Sequence, residues 1–432
     1  MSAAPPNFSA RLRRRIRSGS RDVNQVTYTV LLAGAILLPF LVTAASPNSS
    51  SFWISIASDA GVFVLLAIGL NVVVGLAGLL DLGYAAFFAI GAYTAGILSS
   101  GQLGASPLHR DVHIIPLSLP FEIGGVQVQF GFWLLLLLAM FVAATFGILL
   151  GAPTLRLRGD YLAIVTLGFG EIVPRVFRNL GFGNPLGNWT SGVNGISALD
   201  APTLPVCLVG PWDGRDLAFA TNCVMRAYQP MAYYVTMVIL IIIAVILVRN
   251  LQRSRLGRAW MAIREDEVAA AAMGVNTVTT KLLAFSIGAS LSGFAGCFYG
   301  TKLSLVSPEA FTFTVSVTVL VMVVLGGMGN IPGVIVGALA IYGVLFYVLT
   351  NLPFWAESAA QALGLNFLVK ANSAAHWPGI HDELQHLNFL VFGVILVAIM
   401  LLRPQGLLPN RIREFELAEG VTDESVFDAR TT

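Results

Sequence analysis

Long stretches of the chain contain no Asp, Glu, Lys or Arg, and they constrain its fold more than any other feature. They include residues 23–58, 60–80, 123–155, 227–248, 282–301 and 310–356. A helix needs about 20 mostly apolar residues to cross a membrane, so most stretches hold one crossing and the last holds two. Only 11% of the residues are charged, against about 25% in soluble proteins. The sequence therefore predicts an integral membrane protein.

These stretches predict an all-α polytopic protein of about ten transmembrane helices, since they lack the alternation of barrel strands. The helices are predicted at 28–45, 53–75, 82–99, 131–150, 161–179, 231–249, 282–300, 313–327, 332–350 and 388–402. An even number places both termini on one side of the membrane, and 18 of the 25 basic residues then lie on that side. Because Lys and Arg are enriched in cytoplasmic segments, both termini are predicted to be cytoplasmic.

The chain divides into a transmembrane domain and two tails. The domain covers residues 27–410, between a basic cytoplasmic tail at 1–26 and a second tail at 411–432. Its outer loops are predicted at 100–130, 181–230 and 351–387, and one long cytoplasmic loop at 250–281. The first apolar run is too long for a cleaved signal peptide, so we expect it to remain as the first helix.

Two of the three cysteines, Cys207 and Cys223, share an outer loop, whereas Cys297 lies in a helix. If the outside is oxidising, a Cys207–Cys223 disulfide would close a loop of about 15 residues and contribute about 3 kcal/mol. Two unrelated thiols are the alternative.

Glycine patterns indicate how the helices are organised. Residues 68–78 and 287–296 share spaced glycines, and the helices that carry them are predicted to cross the membrane in opposite directions. The two halves would therefore form an inverted repeat, an arrangement common in transporters. Small residues also recur every fourth position from Gly288 to Gly300. Such a stripe allows close helix packing, here within one chain rather than between two copies.

The sequence contains no recognisable catalytic or metal site. No Gly-Lys dipeptide occurs, so a phosphate-binding loop of the GxxxxGK[ST] kind is excluded. All five histidines fall in predicted outer loops, where a solvated helix explains His381 and His386 better than a metal site does. A net charge of +2 is a weak footprint for a nucleic-acid partner.

The 250–281 loop contains the clearest functional signal. Its alanine-rich centre predicts a helix from Gly257 to Met273 that ends at Gly274. The acidic triplet 265–267 argues against a helix that only lies on lipid, where positive charge is expected. We therefore expect this helix to dock a protein partner on the cytoplasmic side. The residues expected to take part are Arg258, Arg264, Glu265, Asp266, Glu267, Ala269, Ala270 and Gly274.

This loop resembles the coupling loop of ABC importer permeases, in which Glu-Ala-Ala precedes a glycine by three residues; here Val268 stands at the glutamate position. More specifically, the chain resembles the membrane subunits of branched-chain amino acid (Liv-type) importers. The matching segments, in order, are Gly69-Leu70-Asn71, Gly75-Leu76-Ala77-Gly78, Ala85–Tyr93, Arg156–Ile172, Asn194-Gly195-Ile196, Gly326-Gly327-Met328-Gly329 and Arg403-Pro404-Gln405-Gly406-Leu407. The departures are the insertions at 181–230 and 351–387, and Asp81-Leu82-Gly83-Tyr84 where many relatives have Ser-Leu-Gly-His.

The resemblance implies a transport subunit, not an enzyme, in a bacterial inner membrane. Such a subunit pairs with a second, similar permease, docks two ATP-hydrolysing subunits and receives substrate from an extracytoplasmic binding protein. It needs no cofactor of its own, because ATP and Mg²⁺ are bound by the partner subunits. The remaining partner is membrane lipid.

Polar residues at membrane depth are candidates for the substrate pathway. The polar candidates are Asn71, Asp81, Glu171 and Arg175, and the apolar Phe87 is a further candidate. Glu171 and Arg175 lie four positions apart on one helix, so a purely structural ion pair is the alternative. Two other functions also remain open: import of urea or short amides by the same architecture, and an ion-coupled secondary transporter that uses Glu171 and Asp81.

Overall fold

The computed structural model consists mainly of helices. It describes residues 8–45, 49–99, 121–123, 126–128, 132–154, 160–181, 189–197, 199, 203–209, 218–224, 230–362, 390, 393–394, 397, 401 and 406–408. The helices are α1 Phe8–Ala45, α2 Ser50–Leu70, α3 Tyr84–Ser99, α4 Phe132–Thr154, α5 Asp160–Asn179, α6 Pro230–Arg253, α7 Arg255–Glu265, α8 Glu267–Ala272, α9 Thr277–Leu303, α10 Phe313–Gly326, α11 Ile331–Gly343 and α12 Thr350–Ala362. Two π-helical turns extend them, Asn71–Leu76 after α2 and Val344–Leu349 between α11 and α12.

Seven helical segments of the described chain are long and apolar enough to cross a membrane. They are Val26–Ala45, Ser50–Leu76, Phe132–Thr154, Pro230–Arg253, Thr277–Leu303, Pro308–Gly326 and Ile331–Ala362. The helix α3 is apolar but shorter, and α5 carries several charges. The protein is therefore a multi-pass membrane protein, as predicted. The count of ten and the cytoplasmic placement of the termini stay predictions, and helix 388–402 lies largely outside the described residues.

Two helix boundaries differ from the predictions. The outer loop expected from residue 351 begins as helix instead and continues to Ala362, because the uncharged run extends to Ala356. The single helix expected from Gly257 to Met273 is broken at Asp266, whose backbone is extended. The Asp266 carboxylate accepts hydrogen bonds from the N–H groups of Val268 and Ala269, which starts α8 as a separate, capped helix.

Short strands add to the predicted all-α fold. They are β1 Phe121–Ile123, β2 Val126–Val128, β3 Ile196–Ser197, β4 Thr203–Val209, β5 Ala218–Val224 and β6 Leu305–Val306, paired antiparallel as β1–β2, β3–β6 and β4–β5. The β3–β6 pair joins the 181–230 loop to the chain that follows α9. The β4–β5 register places Cys207 opposite Ala220 and Cys223 opposite Leu204. The disulfide stays a prediction, and this register does not place the two cysteines opposite each other.

The core is centred on α9, which packs along α3, α4 and α2. A β-carbon at Gly296 would collide with the carbonyl oxygen of Phe88, and one at Gly91 would collide with the backbone of Gly293. The Tyr84 hydroxyl donates to the carbonyl of Gly288 at 3.0 Å. The small-residue stripe therefore packs within the chain, as predicted. The inverted repeat stays a prediction.

Candidate functional site

One face of the 250–281 segment is attached to the rest of the protein. The Trp260 side chain is completely buried, and its Nε1 donates to the carbonyl oxygen of Thr280 at 2.7 Å. Lys281, at the start of α9, forms a 2.5 Å ion pair with Glu267 on α8. These two contacts hold α7 and α8 against α9, so a force on the segment is transmitted to the core helix.

The opposite face of the segment is open. Val268 and Met273 are 77% and 86% exposed, which is unusual for apolar side chains on a well-anchored helix. Glu265, Asp266 and Ala269 are also exposed, whereas Ala270 is buried. An anchored surface with protruding apolar side chains is typical of a protein interaction site.

The remaining predicted residues of the segment have local structural roles. Gly274 adopts φ +87, a left-handed conformation that glycine takes without strain, and it ends α8 as expected. Arg258 is exposed, and its Nη1 donates to the carbonyl of Arg253 at 2.9 Å. Neither Gly274 nor Arg258 covers the exposed face of α8.

Arg264 differs from its neighbours because it points into the protein. Its Nη1 donates to the carbonyl oxygen of Gly75 at 2.6 Å, in the π-helical turn after α2. The sequence predicts that Arg264 contacts a partner, since spacing alone does not show which face of α7 it occupies. In the structure it contacts the transmembrane domain instead.

Asn71 is the first residue of the same π-helical turn. Its side chain connects this turn to the loop between α10 and α11. Its Oδ1 accepts a 2.8 Å hydrogen bond from the N–H of Gly329, in the loop between α10 and α11. Gln252, at the end of α6, donates to the carbonyl oxygen of Gly329 at 3.2 Å. Asn71 is fully buried, and its Nδ2 has no hydrogen-bond partner among the described residues. Here Asn71 joins helix ends; a role in the substrate pathway stays a prediction.

Asp81 lies in the non-helical turn between the α2 segment and α3, outside both. It is 1% exposed, and its Oδ1 accepts from the Gly83 N–H at 2.9 Å. Its Oδ2 has no partner among the described residues. Burial raises the pKa of Asp81 above its usual range, although the hydrogen bond from Gly83 lowers it. This carboxyl is thus less easily ionised than a solvated one.

The other three pathway candidates lie in two separate environments. Phe87 is buried, with its ring 5.8 Å from that of Phe285 and nearly perpendicular to it. Glu171 and Arg175 form the expected ion pair on α5, at 3.3 Å and largely exposed. The described contacts do not bring these residues together with Asn71 into one cavity.

An ion pair that includes a buried lysine lies outside the residues that the sequence singles out. The Lys302 Nζ lies 2.5 Å from Asp59 Oδ1 and donates to the carbonyl oxygen of Ser55 at 2.9 Å. The side chain of Lys302 is only 7% exposed. A signal was present, because Asp59 separates two uncharged stretches and Lys302 ends another. Because 243 residues separate the two charges in the sequence, the sequence alone does not show that they meet.

Membrane-length helices packed around α9, with an anchored segment beside them that exposes apolar side chains, define a multi-pass membrane protein. The sequence places it further. The chain belongs to the family of branched-chain amino acid transport system permease components, which it matches over residues 52–400. The resemblance inferred from the motifs is thereby confirmed.

Individual relatives agree with this family. The chain is 36% identical over 412 residues to the high-affinity branched-chain amino acid transport system permease protein LivM of Salmonella typhimurium, covering 93% of this chain and 79% of the relative. Identity to the Escherichia coli (strain K12) LivM is 35% over the same shares. The E. coli LivH permease is 24% identical over 278 residues, which cover 64% of this chain and 78% of LivH. No solved structure matches the chain.

Proposed function

We propose that this chain is the membrane-spanning subunit of an ATP-driven importer that moves branched-chain or other hydrophobic amino acids into the cytoplasm. It works in a bacterial inner membrane with a second, similar permease, two ATP-hydrolysing subunits and an extracytoplasmic binding protein. ATP and Mg²⁺ bind to the partner subunits, and the 250–281 segment couples them to this chain.

The observation that carries the proposal is the exposed apolar face of α8. Val268 and Met273 protrude from a segment whose other face is tied to α9 by Trp260 and Glu267. Burying two such side chains against a partner favours association by about 1.5–3 kcal/mol for each side chain. Rigid attachment behind them means that a displacement of the partner would also displace α9.

The relatives support the rest of the proposal. LivM and LivH are both named as permease proteins of high-affinity branched-chain amino acid transport, and this chain is similar to both. A pair of similar permeases is therefore the assembly we propose for it.

Reconstitution of the chain with its partner subunits in proteoliposomes tests the proposal. We expect leucine uptake only when ATP and the binding protein are both present. Leucine movement down a gradient through this chain alone would contradict the ATP-driven mechanism. If urea but not leucine competes for the ATP-driven uptake, the proposed substrate changes and the proposed architecture is kept.

A paired variant tests the docking surface directly. Val268→Glu with Met273→Glu places charge in the apolar face, so we expect the ATP-hydrolysing subunit to be lost on co-purification while the amount of permease in the membrane is unchanged. Val193→Glu is the matched control, since Val193 is 61% exposed but lies in a predicted outer loop. Equal recovery of the ATPase subunit with both variants would exclude docking at α8.

An ion-coupled transporter is the second candidate, and it is favoured by the buried Asp81 Oδ2, which has no hydrogen-bond partner in the described part of the chain. It predicts uptake driven by a pH gradient, without ATP and without dependence on α8. The same proteoliposomes distinguish the two mechanisms if a pH gradient is imposed in place of ATP.

A further inference from the structure

The Arg264 side chain lies against the end of the α2 segment and close to a second helical break, the α10–α11 loop. Its Nη1 binds the carbonyl oxygen of Gly75, and its Cγ lies 2.9 Å from the position that a β-carbon at Gly78 would take. The same Nη1 lies 3.5 Å from the corresponding position at Gly329, which is an ordinary van der Waals distance. Glycine at position 78 therefore makes the space that the arginine fills, and Gly329 lies next to it.

The end of the helical segment explains why a backbone carbonyl is available there, because the last four carbonyls of a helix have no partner within it. If the helix continued, the N–H of Leu79 would bond to the carbonyl oxygen of Gly75, four residues earlier. Here Leu79 donates to Val73 at 3.1 Å instead. The Gly75 carbonyl accepts from the charged guanidinium of Arg264, and hydrogen bonds of this kind are about twice as strong as neutral ones.

The two helical breaks near Arg264, at the end of the α2 segment and in the α10–α11 loop, are suited to bending. Gly78 and Gly329 have φ +70 and +82, values that glycine adopts readily, and π-helical turns frequently lie at functional sites within helices. Asn71 holds the two breaks together through Gly329. A displacement of α7 would thus reach α2 and the α10–α11 loop at a single point.

We propose that Arg264 is a positioning residue that carries movement of the 250–281 segment into the π-helical turn of α2 and the α10–α11 loop, and so links ATP hydrolysis to opening of the transport path. This inference rests on the proposed function. It differs from docking because Arg264 acts on the transmembrane side of the segment.

The test compares Arg264→Ala with Arg255→Ala in the reconstituted complex. Arg255 is an exposed arginine on the same helix, so its replacement removes the same charge. For Arg264→Ala we expect the ATPase subunit to co-purify normally and basal ATP hydrolysis to continue, while leucine uptake per ATP hydrolysed falls about tenfold, the loss of one charged hydrogen bond. Arg255→Ala should keep the wild-type ratio.

Two further variants make the test independent of one substitution. Arg264→Lys keeps the charge but loses the planar fork, and it should give a ratio between those of Arg264→Ala and wild type. Gly78→Ala leaves Arg264 in place but presses on its Cγ, and it should lower the ratio as well. If Arg264→Ala does not reach the membrane, these two variants carry the test.

The outcomes separate the two proposals. An unchanged ratio of uptake to hydrolysis in well-expressed Arg264 variants overturns the inference and leaves the proposed function intact. Loss of the ATPase subunit on co-purification also overturns it, because Arg264 would then be a docking residue. If the wild-type complex shows no ATP-driven uptake, the proposed function itself fails.

Discussion

The buried pair of Asp59 and Lys302 shows how single charges are accommodated in this protein. Lys302 lies at the end of α9 and Asp59 within α2, and each neutralises the other at 2.5 Å. An ionised side chain at membrane depth is costly unless it is paired. Replacing one partner therefore leaves the other charge without compensation.

We predict that Lys302→Met destabilises the protein by about 1–3 kcal/mol, less than for a fully buried ion pair, because the Asp59 side chain is 32% exposed. Thermal unfolding in detergent, followed by loss of the monodisperse peak, measures the effect. Arg175→Met is the control because its ion pair is exposed, and it should change the midpoint little. Equal midpoints for the two variants would contradict a stabilising role for the buried pair.

The helices α3 and α9 approach each other closely. The backbone of Phe88 occupies the space beside Gly296, and Ala92 N lies 2.8 Å from the position of a β-carbon there. Since both neighbours are backbone atoms, no rotamer change can make room. The helices would have to separate along their length.

We predict that Gly296→Ala lowers the free energy of unfolding by about 1–3 kcal/mol through overpacking. Gly343→Ala is the matched control, because its position on α11 has no atom within 4 Å. Urea or heat denaturation of both purified variants makes the comparison. A Gly296→Ala protein as stable as Gly343→Ala would mean that the two helices pack less closely than the structure shows.

Some of these elements could be predicted from sequence and others could not, for physical reasons. The runs 227–248 and 282–301 gave α6 and α9 within a few residues, because hydrophobicity over 20 residues sets a crossing helix. The break at Asp266 was missed, since a capping carboxylate and an exposed helical one look alike in sequence. The inward direction of Arg264 depends on a backbone carbonyl 189 positions away.

On the scale of the whole molecule, the polar ends of several helices meet at one place. The end of α6, the segment α7–α8, the end of α2 and the α10–α11 loop all meet around Gly329 and Arg264. The predicted orientation places each of these parts on the cytoplasmic side. Their convergence agrees with a common side for all four parts, and labelling can establish which side it is.

We predict that a membrane-impermeant maleimide reaches Met273→Cys only after spheroplasts are permeabilised, because the distribution of basic residues predicts that α8 faces the cytoplasm. After reduction, Cys207 and Cys223 should react in intact spheroplasts. Cys297 is fully buried and should react only after unfolding, which provides an internal control. Labelling of Met273→Cys in intact spheroplasts would reverse the orientation.

The enclosure of α2 determines the order in which the chain can assemble. This helix is synthesised early, yet it packs against α6, α9 and α11, which the ribosome makes much later. Until α9 enters the bilayer, Asp59 has no lysine opposite it and Asn71 has no Gly329. A nascent chain that stalls before α9 therefore exposes polar groups to lipid or to the insertion machinery.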